Sequence, residues 1–384
     1  MDTTPRSNRV SIAFFGLRNA GKSTLVNAFT GQDIAIVSDT PGTTTDPVSK
    51  AMEILPLGPC LITDTAGLDD VGELGGMRVK KTLRVLETAD IAVWVDPGEG
   101  GADGVASAKL HSGFLEECRR RGVVALEYRR GDSVEELKKR IASVKIGDVA
   151  PGLLDGLVEK GDRVVCVCPI DESAPKGRLI LPQVQLIRDC LDRHVAASVC
   201  QPEELAGELS HSGGGNVLVV TDSQAFGKVK EILAALARGS MRLTSFSILF
   251  ARQKGDLAEF TAGLKALGNL KDGETVLVAE GCTHHRQCND IGTVKIPKAI
   301  ERLSGRKLNF VFASGNTFDL PDGSAHAKPA LVVHCGGCML TRREVLRRIA
   351  AAKSAGVPIV NYGILLAAAS GVDIPVCNFN EKMR

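Results

Sequence analysis

The sequence predicts an α/β protein of three domains, each built on a largely parallel sheet. Three observations lead to this prediction. Apolar runs with strand character alternate with helix-like runs along almost the whole chain. A glycine-rich phosphate-binding pattern directly follows the first apolar run. The chain has 384 residues, which is too long for a single compact core. We therefore expect a doubly wound first domain followed by two further α/β domains.

The first domain is expected to span residues 1–168. Its predicted strands lie at 10–15, 60–63, 91–95 and 123–126, with a further strand at 164–168, and its predicted helices follow residue 23, lie near 78–86 and span 106–121. This alternation of strands and helices is typical of a doubly wound parallel sheet.

The second domain is expected at residues 169–270 and the third at 271–384. After a linker rich in proline, glycine and charge, the second domain has predicted helices at 183–194, 223–236 and 257–267 and predicted strands at 217–221 and 244–250. The third has predicted strands at 275–279, 310–313, 331–334 and 357–361, and a basic helix at 342–355.

The composition argues for a cytoplasmic, water-soluble protein. The 47 basic and 45 acidic residues leave a formal charge of +2, so composition indicates neither a nucleic acid nor a membrane partner. The first eight residues are polar, and no later stretch has the roughly 18 uninterrupted apolar residues of a spanning helix. In a reducing compartment the eleven cysteines are expected to be thiols or metal ligands.

Residues 16–23 read Gly-Leu-Arg-Asn-Ala-Gly-Lys-Ser, the eight-residue Walker pattern, between an apolar strand and a helix. Backbone N–H groups of such a loop wrap phosphates, Lys22 reaches the β and γ oxygens, and Ser23 offers a hydroxyl to magnesium. After a second apolar strand, Asp64 can hold the magnesium shell and the Gly67 N–H can sense the γ-phosphate. The predicted nucleotide site comprises Gly16, Asn19, Ala20, Gly21, Lys22, Ser23, Thr24, Asp64 and Gly67.

These segments, together with Pro-Gly-Thr-Thr-Thr-Asp at 41–46, resemble the GTPases related to Era and TrmE. The resemblance implies GTP with magnesium as the ligand and Thr44 as a switch magnesium ligand, so that Lys22, Thr44, Asp64 and Gly67 form the catalytic set. It also implies a potassium ion held partly by Asn19 in place of an arginine finger; the alternative is that Asn19 only braces the loop. Leu68 stands where Ras-like enzymes keep a water-orienting glutamine, and an apolar side chain cannot orient water.

The base-reading motif of that class is missing. After the strand at 123–126 the chain reads Glu-Tyr-Arg-Arg-Gly-Asp where Asn-Lys-x-Asp is expected, and residues 130–137 resemble the sequence that follows the later Ser-Ala base-contacting loop. A deletion near 126–131 that removed the guanine-reading loop with a neighbouring helix and strand explains both features. Phosphate chemistry is expected to survive this loss, whereas guanine selectivity depends on the missing hydrogen bonds.

A cysteine and histidine constellation follows two strands of the third domain. Cys282-Thr-His284 comes after the strand at 275–279, and His334-Cys335-Gly-Gly-Cys338 ends the strand at 331–334. Open α/β sheets place their sites at the carboxyl ends of such strands. The two glycines let a Cys-x-x-Cys pair turn onto one metal centre. Soft sulfur ligands suit zinc and iron–sulfur clusters alike, so the residues leave both open.

Taken with the P-loop, the pattern Cys282-x-His284, 49 residues, His334-Cys335-x-x-Cys338 closely resembles the FeFe-hydrogenase maturation GTPase family, HydF. The resemblance extends to residues 169–185 and 221–226. It implies a 4Fe-4S cluster on Cys282, Cys335 and Cys338, with His284 or His334 as a fourth or exchangeable ligand, or as a hydrogen-bond donor to the cluster.

The same resemblance implies a scaffold and carrier. Its cargo is the diiron precursor made by two radical-SAM maturases, its recipient is the apo-FeFe-hydrogenase, and it forms a homodimer, with higher association left open, through its middle domain. Three alternatives remain: a zinc-stapled regulatory GTPase, an Era-like RNA- or ribosome-binding GTPase, and a family member that no longer selects GTP. The Era-like alternative requires a KH module with Gly-x-x-Gly in a basic setting, and no such basic module follows residue 170.

Other cysteines and histidines are expected to have no part in the site. Cys166 and Cys168 alternate with valines and fit a sheet core or a sheet surface, while His285 and Cys288 lie outside the matched spacing. The basic helix at 342–348 fits a solvated face, with docking of an acidic partner as the alternative.

Overall fold

The computed structural model divides the chain into two compact units, Met1–Val149 and Ala150–Arg384. The structure describes residues 9–31, 48–69, 72–98, 104–146, 151–170, 177, 179–210, 216–236, 241–281, 290–315, 318, 320 and 328–372. Thr44, Cys282 and His284 therefore lie outside the described residues, as do His285 and Cys288. Within the described part of the chain, no helix combines the length and apolar character needed to cross a membrane.

The first unit is a five-stranded sheet with helices on both faces. Its elements are β1 (Val10–Gly16), α1 (Lys22–Thr30), β2 (Val48–Ile54), β3 (Gly58–Asp64), α2 (Gly72–Thr88), β4 (Ile91–Asp96), α3 (Gly104–Arg120), β5 (Val124–Arg129) and α4 (Val134–Ala142). The strand order is β2-β3-β1-β4-β5; β2 is antiparallel to β3, and the other pairs are parallel. The predicted doubly wound parallel sheet is confirmed, and β2 is an addition that the apolar pattern did not indicate.

Alternating side chains of β1 supply the cores on the two faces of this sheet. Phe14 packs with Phe29 of α1, and the same apolar cluster contains Leu137 and Ile141 of α4. Phe15 points to the other face, where it contacts Phe114 of α3. Because β1 is covered on both faces, its sequence is a continuous apolar run rather than an alternating one.

The second unit contains two parallel four-stranded sheets. Its elements are β6 (Arg163–Val167), α5 (Leu181–Asp192), β7 (Ala196–Cys200), α6 (Leu205–Ser210), β8 (Val217–Thr221), α7 (Phe226–Leu236), β9 (Met241–Ser245), α8 (Phe246–Lys254), α9 (Leu257–Lys265), β10 (Thr275–Ala279), α10 (Ile296–Ser304), β11 (Asn309–Ala313), β12 (Leu331–His334), α11 (Arg342–Ser354), β13 (Ile359–Asn361) and α12 (Tyr362–Ala369). The strand orders are β7-β6-β8-β9 and β11-β10-β12-β13. One apolar cluster includes residues of both sheets, so the two domains predicted here share a core.

Both predicted domain boundaries need correction. The strand at 164–168 was assigned to the first domain, but β6 pairs with β7 and β8 and belongs to the second sheet. The helix at 257–267 was assigned to the second domain, but α9 packs on β13: a Cβ at Gly263 would lie 1.9 Å from the Ile359 oxygen. The boundaries therefore lie before β6 and between α8 and α9. The sequence of an apolar strand or helix does not indicate which sheet that element joins, and both boundaries were therefore misplaced.

The predicted strand at 244–250 is also wrong beyond residue 245. The Ser245 hydroxyl accepts a hydrogen bond from the Ile248 N–H at 3.3 Å and caps α8. Phe246, Leu249 and Phe250 are all buried, because α8 lies between the two sheets and is apolar around most of its surface. Such a run has no helical period and resembles a buried strand.

Candidate functional site

The loop between β1 and α1 has a backbone that only certain residues can adopt. Gly16 has φ +154°, and a Cβ there would lie 2.6 Å from the Val95 oxygen. Asn19 and Gly21 have φ of 58° and 90°, in the left-handed region that glycine and asparagine tolerate best. Ala20 between them is buried. The loop thus has the tight turn that precedes a phosphate-binding helix terminus.

The side chains of Lys22 and Ser23 face the centre of this loop. Lys22 is 7 % exposed, and its Nζ donates to the Leu17 oxygen at 2.6 Å and to the Gly16 oxygen at 3.4 Å. Ser23 Oγ donates to Asp64 Oδ2 at 2.6 Å. The two strands β1 and β3 pair in parallel and end side by side, which brings Ser23 and Asp64 together. Thr24, the next residue of α1, is exposed.

Asp64 is fully buried and only half satisfied. Among the described residues, no hydrogen-bond partner lies near its Oδ1. Burial raises the pKa of Asp64, while the Ser23 hydroxyl and the Lys22 ammonium act in the opposite direction. A buried carboxylate oxygen without a donor is costly unless a cation or water meets it. The donor set, one carboxylate and one hydroxyl, fits magnesium, which prefers hard oxygen ligands.

The segment after β3 is pinned against the P-loop. Leu68 N donates to the Gly16 oxygen at 3.3 Å, and Arg18 N donates to Asp69 Oδ1 at 2.6 Å. A Cβ at Gly67 would lie 2.8 Å from Arg18 N, so this position requires glycine. The Leu68 side chain packs against the apolar cluster around Phe15, which agrees with its inability to orient water.

The turn after β5 is closed by its own residues. Arg129 N donates to Asp132 Oδ2 at 2.9 Å, and the Tyr128 hydroxyl donates to the Asp132 oxygen at 2.9 Å. Ser133 then caps α4 directly, accepting from Glu136 N at 3.3 Å. The carboxylate that follows β5 is therefore engaged with local backbone, where an Asn-Lys-x-Asp aspartate would face guanine. The shortened base-reading region stays a prediction.

The cysteine loop lies at the carboxyl edge of the second sheet of its unit, after β12. Cys335 Sγ accepts N–H groups from Gly281 at 3.1 Å and from Gly337 at 3.4 Å. Gly337 has φ 67°, and a Cβ at Gly336 would lie 2.9 Å from Ser247 Oγ. Gly337 thus has a dihedral angle that favours glycine, and Gly336 packs closely against Ser247.

Gly281, which donates to the Cys335 sulfur, is the last described residue before Cys282. Among the described residues, no group of three histidine, cysteine or carboxylate side chains could hold a metal ion. Of the three predicted cluster cysteines, the described residues include two, Cys335 and Cys338. N–H donors aimed at a sulfur are the contacts that tune a metal-bound thiolate.

The side chain of Lys254, the last residue of α8, holds this loop through hydrogen bonds to its backbone. It is 3 % exposed, and its Nζ donates to the backbone oxygens of Gly337, Cys338 and Leu340 at 3.2, 3.1 and 2.8 Å. Burial lowers the pKa of Lys254 to about 8, against the opposing influence of the two thiols. Sequence reasoning missed this residue. No local pattern marks it, because Arg252 and Gln253 also make the end of α8 polar.

The two thiols are held in their protonated form by their surroundings. Burial and the neighbouring Cys338 raise the pKa of Cys335 to about 11, with the Gly337 and Gly281 N–H groups acting against them. Burial also raises the pKa of Cys338, and Lys254 opposes it. Ligation by these sulfurs therefore releases protons.

His334 lies beneath the loop with both ring nitrogens engaged. It is 1 % exposed; Nδ1 lies 2.7 Å from the Cys335 oxygen and Nε2 lies 3.4 Å from Arg348 Nη1. Burial, helped by the Arg348 charge, lowers the pKa of His334 to about 4, so the ring is neutral at pH 7. These contacts assign the proton to Nδ1, since Nε2 must accept from Arg348. Arg348 is in turn held by Glu344, at 2.6 Å from Nε to Oε1.

Cys166 and Cys168 are buried on one face of β6, while Val165 and Val167 face the other. Of the two predicted alternatives, sheet core and sheet surface, the core is confirmed for both cysteines. Burial raises the pKa of Cys168 to about 12, which makes it a poor nucleophile.

Fold and site together define a P-loop protein joined to two parallel α/β domains, the second of which carries a buttressed cysteine loop. Comparison with known families agrees domain by domain. Residues 11–120 match the 50S ribosome-binding GTPase family, residues 153–255 the hydrogen maturase F dimerization domain, and residues 258–374 the hydrogen maturase F tetramerization domain. The two maturase matches together span more than half of the chain. The chain belongs to the HydF family of GTPases.

Curated relatives share a smaller part of the chain. The tRNA modification GTPase MnmE of Methylobacterium sp. (strain 4-46) is 44 % identical over 95 residues, 24 % of this chain and 21 % of that protein. The MnmE of Maricaulis maris (strain MCS10) is 34 % identical over 163 residues, 38 % of this chain and 36 % of that protein. The chain thus spans about a fifth to a third of the length of these relatives.

Among solved structures, Era of Aquifex aeolicus bound to GDP and AlF4⁻ is 13 % identical, with 79 % of this chain and 93 % of that chain covered and a TM-score of 0.27. A superposition at this score adds nothing to the strand order described above.

Proposed function

We propose that this protein is a GTP-hydrolysing scaffold of FeFe-hydrogenase maturation, which holds a 4Fe-4S cluster and the diiron active-site precursor and delivers the precursor to the apo-hydrogenase. One observation carries the proposal: a Cys-Gly-Gly-Cys loop whose first sulfur accepts two N–H groups occurs in a chain that also has a complete P-loop. Membership of the HydF family supports it.

Hydrolysis would proceed by in-line attack of water on the γ-phosphorus. The Lys22 ammonium and the P-loop N–H groups stabilise the charge that develops on the phosphate oxygens. Ser23 and Asp64 would hold magnesium, which supplies Lewis-acid polarisation, and Thr44 would complete its shell. In this proposal the Gly67 N–H faces the γ-phosphate. Because Leu68 cannot orient water, a potassium ion held by Asn19 would supply charge that a glutamine or arginine finger provides elsewhere.

For the cluster, the residues that fit are Cys282, Cys335 and Cys338. His334 fits a supporting role, because its Nδ1 and Nε2 are both engaged with protein groups. The fourth position would then fall to His284 or to an exchangeable ligand. A cluster with one open iron supplies a point at which a second metal fragment can bridge and be released.

The matches to dimerization and tetramerization domains support self-association of this chain. In the middle sheet β7 is an edge strand, and Val199, its fourth residue, is 46 % exposed. An exposed edge strand can pair with a second copy of itself. We propose a homodimer through this domain. The two radical-SAM maturases and the apo-hydrogenase are its proposed further partners.

Phosphate release from GTP tests the enzymatic half of the proposal. Lys22→Ala should abolish magnesium-dependent hydrolysis, whereas the exposed Lys265→Ala, which lies on α9, should leave it unchanged. Comparing GTP with ATP and ITP measures base selectivity, which the engaged Asp132 predicts to be weak. Precursor transfer measured with GTP, with GDP and without nucleotide tests the coupling; identical rates in all three would exclude it.

A further inference from the structure

The middle sheet has a topological switch point between β6 and β8, where the side on which the chain adds its next strand changes. From β6 the chain passes through α5 to β7 on one side, and from β8 it passes through α7 to β9 on the other. α5 packs on one face of the sheet, with Leu186 in the core shared with the third domain, whereas Val229 of α7 packs on the opposite face. Open parallel sheets bind ligands outside the carboxyl ends of two such neighbouring strands.

A cavity of about 370 Å³ lies at this place. Pro169 follows β6, Pro202 follows β7, and Gln224 follows β8, so the residues after three strands line it. The volume is in the range of small-molecule sites. Lys295, the last residue of a short π-helix (Ile291–Lys295) before α10, lines it from the tetramerization domain, and its Nζ donates to Gln224 Oε1 at 2.6 Å.

The polar lining of the cavity favours an anion. Lys228 and Lys295 supply two ammonium groups from two different domains, and Glu203 supplies one carboxylate, which pairs with Lys228 at the exposed rim. The prolines form apolar walls. A small organic molecule with a phosphate or carboxylate group would meet Lys295 and Gln224 inside and displace Glu203 from Lys228.

Two sequence segments that belong to neither the P-loop nor the cysteine loop, 169–185 and 221–226, contribute residues to this cavity. Pro169 and Ile170 begin the first segment, Gln224 and Ala225 belong to the second, and all four line the cavity although the β7–α6 crossover separates them in sequence.

We propose that this cavity is a binding site for a small organic anion bearing a phosphate or carboxylate group, separate from the nucleotide site. Because Lys295 belongs to the tetramerization domain, an anion held here links the two domains of the second unit. The proposal stands independently of the cluster and of GTP hydrolysis.

Amine acylation followed by mass spectrometry tests the site in the full chain, with GDP and magnesium saturating the P-loop. Ribose 5-phosphate and succinate serve as the phosphate and carboxylate probes, with ribose as the neutral control. At least one anionic probe should protect both Lys228 and Lys295 from acylation, and the control Lys298 should react equally throughout. Which probe protects identifies the preferred anionic group.

Calorimetry with the protecting probe gives the affinities. Lys295→Met should weaken binding about tenfold, the loss expected for one charge-assisted hydrogen bond, and Glu203→Gln should strengthen it. The exposed Lys298→Met variant on α10 is the matched control and should bind like the wild type. Lys228→Met replaces Lys295→Met if the latter does not fold. The proposal would be overturned if neither probe protected the lysines at about 10 mM, or if wild type and lysine variants bound the probe with equal affinity.

Discussion

Replacing Lys254 by methionine removes an ammonium that donates hydrogen bonds to three backbone oxygens of the cysteine loop. Hydrogen bonds to a charged group contribute about 1.5–3 kcal/mol each. Against them stands the cost of burying the charge: a pKa lowered from 10.5 to about 8 corresponds to about 3 kcal/mol at neutral pH. The bonds outweigh the desolvation, so we expect Lys254→Met to lower the free energy of unfolding by roughly 2–4 kcal/mol.

The loss should be concentrated in the loop. Urea unfolding of the apo-protein measures the global change, and amide hydrogen exchange of residues 337–340 measures the local one; exchange there should rise more than in β12, which is anchored by its neighbours β10 and β13. Lys265→Met, an exposed lysine on α9, is the control. Wild-type stability together with unchanged exchange at 337–340 in Lys254→Met would refute the assignment of Lys254 as the support of the loop.

Three further predictions address the remaining parts of the molecule. Gly263→Ala should destabilise the second unit by more than about 3 kcal/mol in urea unfolding, because its Cβ would meet backbone at 1.9 Å, whereas Gly268→Ala, with open space around it, should be nearly neutral. Asp64→Asn should reduce magnesium-dependent phosphate release about a hundredfold or more without loss of thermal stability, since the buried charge is removed; unchanged release would exclude Asp64 as a magnesium ligand. Hydrogen bonds from Arg120 and Arg121 lower the pKa of Glu117 from 4.5 to about 2, so its stabilisation is complete above pH 4.5 and is lost as the pH falls toward 2. The melting temperatures of wild type and Glu117→Gln should therefore converge across that window, and a constant difference would contradict it.

Sequence reasoning located the P-loop because phosphate binding and the backbone conformation of the loop require the same residue types at the same positions. Gly16 and Gly21 occupy φ values that most residues avoid, and Lys22 follows at the helix start, so the pattern of residue types describes the geometry completely. The Cys-Gly-Gly-Cys turn was predictable for the same reason.

Other features depend on tertiary contacts that no local pattern records. β2 and β7 are mostly half-buried or exposed edge strands, and their sequences carry no apolar run. α8 is buried on nearly all sides, so its sequence lacks the period of a surface helix. Lys254 supports the loop from 83 to 86 positions away in the chain, and only the packing of α8 beneath β12 reveals it.

Anaerobic reconstitution with iron and sulfide, followed by metal analysis and EPR of the reduced protein, tests the central claim most directly. We predict about four iron ions per chain and the signal of a reduced 4Fe-4S cluster in the wild type, retention of the cluster in His334→Gln with a changed signal, and its loss in Cys335→Ser. Stoichiometric zinc with no iron in the wild type would contradict the account and identify a zinc-stapled GTPase instead.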